Sequence, residues 1–255
     1  MASAGKAPRN ATGRIPDPAT LLALVQKAKP RGPSRAATER VRRMLVAYLE
    51  TAIRQRLPAQ QVIADMASGR AARRLGDVAR DMIERDPPPV LRDAACASGC
   101  AFCCILSGGD GGTITEDEAR RLHEALAPLA GVPDGRGWHP AACPALDPDS
   151  RMCRVYDDRP TICRSFVSTD AKACEVNAEG GAETGAGVLG SHIDYLAVHA
   201  LVREVLKGIA QVRTYAMARV AAGAVEGRSL DESLDAARHP PRTLSDIFAA
   251  LDGRG

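Results

Sequence analysis

All eight cysteines of this 255-residue chain lie between Cys96 and Cys174, and the rest of the sequence has none. The first group is Cys96, Cys100, Cys103 and Cys104; the second is Cys143, Cys153, Cys163 and Cys174. A soft metal ion or an iron–sulfur cluster takes about four thiolates at short range. Cysteines two or three residues apart can turn inward on one centre where small residues such as Ala97, Ser98 and Gly99 let the backbone curl. All eight are therefore candidate metal ligands, with zinc or an iron–sulfur cluster as the cofactor. The adjacent Cys103 and Cys104 do not both face one ion comfortably, so one of them serves a second centre or stays a free thiol. Eight thiols permit two tetrathiolate sites without requiring them.

Other uses of clustered cysteine fit less well. Structural disulfides need an oxidising compartment, and an adjacent pair is awkward for them. Buried structural thiols have no reason to cluster. Dithiol chemistry at Cys100-Ala101-Phe102-Cys103 lacks a surrounding βαβ pattern. The spacing Cys96-x3-Cys100-x2-Cys103 also matches the radical S-adenosylmethionine signature, but those enzymes are βα barrels, and alternating strands and helices are missing here.

Composition bounds the remaining classes. Three Phe, four Tyr and one Trp leave few stacking platforms, which argues against single-strand nucleic-acid binding. No apolar run reaches bilayer length, and Met1–Lys29 has no signal-peptide h-region, so the expectation is a cytoplasmic protein with no membrane partner. Residues 1–95 carry 18 Lys and Arg against 9 Asp and Glu, although the whole chain is only +3. Solvated helix faces and a basic tail account for that asymmetry, and it identifies no protein partner. No Ser/His/Asp triad, paired-carboxylate signature or nucleotide fingerprint is present.

The pattern along the chain predicts a mainly α fold: a small helical domain with a loop-rich, cysteine-ligated metal or cluster site. Residues 1–35 read as a flexible basic tail, mobile over 1–18, with a short helix over Pro18–Lys29. Residues 36–89 read as a helical N-terminal segment, with Val41, Met44, Leu45, Tyr48, Leu49, Ala52 and Ile53 at helical spacing over Ala36–Arg56. Residues 90–178 form the cysteine core. Within it Gly108–Gly112 is a turn, Thr115–Glu118 has capping-box spacing before a helix, and 134–155 is loop. After a second glycine-rich stretch, Glu179–Gly190, one long helical pattern runs from Ile193 to Val220. Short helices at Leu230–Ala237 and Leu244–Leu251 complete a C-terminal segment, 191–252, that packs on the core. No strand alternation is visible.

The second cysteine group contains Cys143-Pro144-Ala145-Leu146 and Cys153-Arg154-Val155-Tyr156-Asp157-Asp158-Arg159-Pro160-Thr161-Ile162-Cys163-Arg164, followed by Ser168-Thr169-Asp170-Ala171 and Cys174. With the Cys-x3-Cys-x2-Cys-Cys group before it, this resembles the CxxCxxCC (YkgJ-type) cysteine-cluster family over about Cys96–Cys174. The first spacer is three residues where the pattern has two or three, and Ala145 stands where Phe is more usual. The resemblance implies zinc or iron chelation. A related cysteine motif occurs in the flagellin lysine N-methylase, where an iron–sulfur cluster is implicated. That makes a cluster-dependent enzyme, a protein N-methyltransferase or an oxidoreductase, the alternative to a metal-binding protein. Around the cysteines, Arg159 and Arg164 offset thiolate charge, with the alternative that Arg159 pairs with Asp157, Asp158 or another carboxylate. Tyr156 reads as a core anchor and His139 as a loop histidine without a metal role. His123, His192, His199 and His239 have no constellation around them.

Overall fold

Helix starts follow the capping chemistry of the sequence. Asp17 accepts a hydrogen bond from the Thr20 amide (2.7 Å) with Pro18 in the first turn, and Ser34 accepts one from Ala37 (3.2 Å). Ser229 and Glu232 make a reciprocal capping box. The computed structural model describes residues 15–106, 109–183, 186–188 and 190–252. The expected mobile tail lies outside the described residues up to residue 14, as do Gly108, residues 184–185 and residue 189 of the two glycine-rich stretches.

The chain is mainly α. Its helices are α1 (Pro18–Lys27), α2 (Arg35–Arg54), α3 (Ala59–Ser68), α4 (Arg70–Arg85), α5 (Pro89–Arg92) and α6 (Glu116–Leu126). They continue with α7 (Thr161–Ser165), α8 (Ala171–Ala178), α9 (Gly190–Val205), α10 (Met217–Val225), α11 (Leu230–Ala237) and α12 (Thr243–Asp252). Gly69, in the left-handed region at φ 87°, separates α3 from α4. Four three-residue strands form two antiparallel pairs: β1 (Thr113–Thr115) with β4 (Thr214–Ala216), and β2 (Phe166–Ser168) with β3 (Ala186–Val188).

Two sequence expectations are corrected here. The long helix expected over Ile193–Val220 is instead α9, β4 and α10. Tyr215 leaves the helical register because Thr214–Ala216 supplies the backbone partners of β1, pairing Ile114 with Tyr215. A three-residue strand is too short for its period to show in sequence. The capping box at Thr115–Glu118 does not form either. Thr115 is held extended opposite Thr214 and makes no side-chain cap, while Glu118 bonds elsewhere.

The chain divides into two units. The first comprises, among the described residues, 15–76, 193–213 and 241–252, with Leu21, Val25, Val41, Leu45, Leu49, Ile63, Met66, Leu201 and Phe248 in its core. Every residue from Tyr195 to Val202 is buried, as in a helix surrounded by structure. Buried Asp65 is met by Arg70 (3.1 Å) and Arg74 (3.2 Å), and Arg40 chelates Asp194. The second unit comprises residues 77–192 and 214–240 and contains every cysteine. Its core packs α6, α10 and α11 through Ile114, Leu122, Leu126, Val220, Ala221 and Leu234. No helix among the described residues is long and apolar enough to cross a membrane.

His199, in the first unit, is fully buried, and its Nε2 bonds the Arg213 carbonyl at 2.9 Å. Burial lowers its pKa from 6.5 to about 4, so between these values the unfolded chain binds a proton that the folded one refuses. Its stabilising contribution is complete above pH 6.5 and is lost as pH falls toward 4, by about 3 kcal/mol. Denaturant unfolding across pH 4–7 is expected to show this decline, and His199→Gln to flatten it. His192, buried in the second unit with its pKa also lowered to about 4, leaves a remaining slope.

Candidate metal centre

The first cysteine group is wound into short turns. The Cys100 amide bonds Ala97 O (3.0 Å), and the Cys104 amide bonds Ala101 O (2.9 Å) in the 3-10 turn Phe102–Cys104. Ala101, just before the turn, is buried, whereas Cys104 is half-buried and Cys103 exposed. Backbone bonds tie this group to the second: Cys143 N to Cys104 O (2.8 Å), Leu106 N to Ala141 O (2.7 Å) and Ala95 N to Ser168 O (2.8 Å).

Each cysteine of the second group has its own support. A Cβ on Gly135 would lie 2.4 Å from the Cys143 carbonyl oxygen, so only glycine lets this turn press on the Cys143 loop. Arg154 braces that loop by donating to Pro133 O (3.1 Å) and Pro144 O (2.9 Å), and Leu146 bridges Cys153. Cys163 rides on α7, whose first residue, Thr161, donates from its amide and its hydroxyl to buried Glu118, both at 2.7 Å. Cys174 rides on α8, capped by Asp170.

All eight cysteines line one cavity of about 470 Å³. The Met152 and Met217 thioethers share its wall, with Cys163 Sγ 3.4 Å from Met217 Sδ. Among the described residues, its charged lining residues are Arg151 and Arg159, and no histidine or carboxylate lines it. An all-sulfur donor set with cationic neighbours suits a soft metal or a cluster and does not suit a hard cation. The donors ring the wall. Among the described residues, no three Cys, His, Asp or Glu side chains stand in an arrangement that could hold an ion without moving.

Most of these thiols are biased toward the neutral form. Burial pushes Cys143 up to about 11 and Cys163 well above the ordinary thiol range, and it also raises Cys153 and Cys174. Cys103 goes the other way. A hydrogen bond from Cys104 holds it down to about 7, with a further contribution from the Arg159 charge, and the same bond raises Cys104.

The surrounding residues divide between expectation and surprise. Tyr156, expected as a core anchor, is 55% exposed, and the Arg159 guanidinium lies 3.4 Å from its ring centroid. The cation–π contact holds both at the surface. Arg159 donates to Tyr156 O and its charge acts on Cys103 and Cys153, in keeping with the charge-offset reading. Asp158 pairs with Arg121 (2.7 Å). Arg164 donates to the Arg159 and Asp157 carbonyls and so braces the backbone. His139 accepts from the Ala141 amide and is outside the cavity lining. His123 Nε2 bonds Arg228 O at 3.1 Å.

Sequence reading missed Glu118, Arg154 and Met217. Glu118 was hidden by a plausible local partner. Arg154 carried a readable signal, since it directly follows Cys153.

This geometry is that of a thiol-lined metal-site candidate. Residues 95–180, about a third of the chain, match the CxxCxxCC family, described as a "Putative zinc- or iron-chelating domain". The match covers all eight cysteines, and it is the family the motif resembles. No curated protein and no solved structure matches the chain.

In the reduced, metal-free protein Cys103 is expected to alkylate first with iodoacetamide. Its rate should rise through about pH 7, while Cys143 stays slow until far more alkaline pH; peptide mass mapping reads the order. Glu118→Ala removes the carboxylate from two hydrogen bonds and is expected to cost about 2 kcal/mol in denaturant unfolding. The same variant should speed alkylation of Cys163.

Proposed function

We propose that the chain is a cytosolic metal-binding protein whose cysteine core, residues 90–178, chelates iron as an iron–sulfur cluster, or zinc, through cysteine thiolates. The observation that carries this reading is the single cavity lined by all eight thiols, with Arg151 and Arg159 and without a carboxylate or imidazole. Cys96, Cys100, Cys103, Cys104, Cys143, Cys153, Cys163 and Cys174 are the proposed ligands. The match of residues 95–180 to a family described as zinc- or iron-chelating supports it independently.

The cluster is favoured over zinc by the density of the thiols, eight along one cavity, and by Pro144 directly after Cys143. Bound there, a cluster supplies one-electron chemistry at a potential set by charge, hydrogen bonding and exposure. The chain's own contribution is to offset thiolate charge through Arg159 and Arg151 and to brace the ligand loops through Arg154, Gly135 and Glu118. A second reading, a cluster-dependent enzyme, is favoured by one observation: Cys96 and Cys103 are exposed, so the site opens to a reaction partner.

Anaerobic purification, metal and sulfide analysis and an absorption spectrum test the proposal. Iron, sulfide and broad absorption near ~400 nm support the cluster, whereas colourless protein containing zinc supports the alternative metal. Cys100→Ser and Cys163→Ser are each expected to lower metal content. A folded, metal-free protein with all eight thiols titratable overturns the proposal.

A further inference from the structure

Adjacent Cys103 and Cys104 leave a chain with eight thiols in one cavity short of a simple geometric solution. The surroundings of the thiols resolve it. Cys143 belongs to the apolar core of the second unit, and Cys104, Cys153 and Cys163 pack against that core. The other four stand outside it: Cys96 and Cys103 are exposed, Cys100 is half-buried and Cys174 is buried on α8.

Backbone ties follow the two sets. In the inner set Cys143 N bonds Cys104 O, Leu146 bridges Cys153, and Cys163 Sγ contacts Met217 in the core. In the outer set Cys96 Sγ lies 3.9 Å from Ser168 O, and Ser168 also hydrogen-bonds the Cys174 thiol.

We propose that the cavity holds two tetrathiolate sites, an inner one of Cys104, Cys143, Cys153 and Cys163 and an outer one of Cys96, Cys100, Cys103 and Cys174. The Cys103–Cys104 peptide gives one ligand to each and couples the two centres directly. The inner ligands lie in or against the apolar core, and two of the outer ligands, Cys96 and Cys103, face the medium. The proposal rests on the metal-binding reading above.

Anaerobic titration of the reduced full-length chain with Co²⁺ reads the stoichiometry from thiolate-to-cobalt absorption. Wild type is expected to bind two equivalents. Cys96→Ser/Cys174→Ser, a change outside the core, should halve the bound cobalt with the circular dichroism unchanged. Cys153→Ser, chosen in place of core Cys143, should also halve it. Cys103→Ser and Cys104→Ser should each remove one equivalent, and the double variant both. A wild type that binds one equivalent, lost equally in the outer pair and in Cys153→Ser, overturns the two-site partition and leaves metal binding standing. A chain that binds no cobalt and is purified without metal overturns the metal reading itself.

Discussion

Eight thiols can be gathered around one cavity only while few of them are charged. Thiolates a few ångströms apart in a partly apolar pocket repel strongly, and burial adds a desolvation cost to each. The second unit meets this constraint with protonation. Cys143, Cys153, Cys163 and Cys174 are all held above their ordinary range, and the single low thiol, Cys103, is stabilised by the Cys104 hydrogen bond and the charge of Arg159. Ligation by metal, as proposed, would replace those protons, couple filling of the cavity to proton release and weaken affinity in acid.

The supports around the thiols serve placement. Glu118 reaches from α6 to the first residue of α7, fixing Cys163 against the helices of its own unit. Gly135 lets one turn touch the Cys143 carbonyl, and Arg154 ties its loop to Pro133 and Pro144. These contacts bring each cysteine to the wall while leaving the sulfurs short of convergence. The thiols are gathered by the fold but form no preformed cage, so binding metal as proposed requires them to move together.

Much of the fold was legible because it rests on local chemistry. The helices expected over Pro18–Lys29 and Leu230–Ala237 are α1 and α11, and the apolar spacing from Val41 to Leu49 marks the buried face of α2. The cysteine spacing marked the site because the thiols come in short sequence-local groups. What was illegible depends on partners distant in sequence. Thr214–Ala216 becomes a strand only because Thr113–Thr115 lies beside it. Glu118 reads as a local cap until Thr161, 43 residues later, arrives to take it. Tyr156 reads as core because aromatics usually are buried, and here Arg159 covers its ring at the surface.

The cysteine loops contain little regular structure. Between α5 and β1, and between α6 and α7, the described residues form only four 3-10 turns, whereas α6, α10 and α11 pack a continuous apolar core. Segments with few ladder bonds open at low free energy, below the cost of unfolding the helices beside them. A ligand that binds only the closed form adds its binding energy to those loops alone. With metal held by the proposed thiolates, resistance of this region to proteolysis becomes a measure of metal supply. The lifetime of the loops in the cell would then track the metal, while the helical part of the same unit endures regardless.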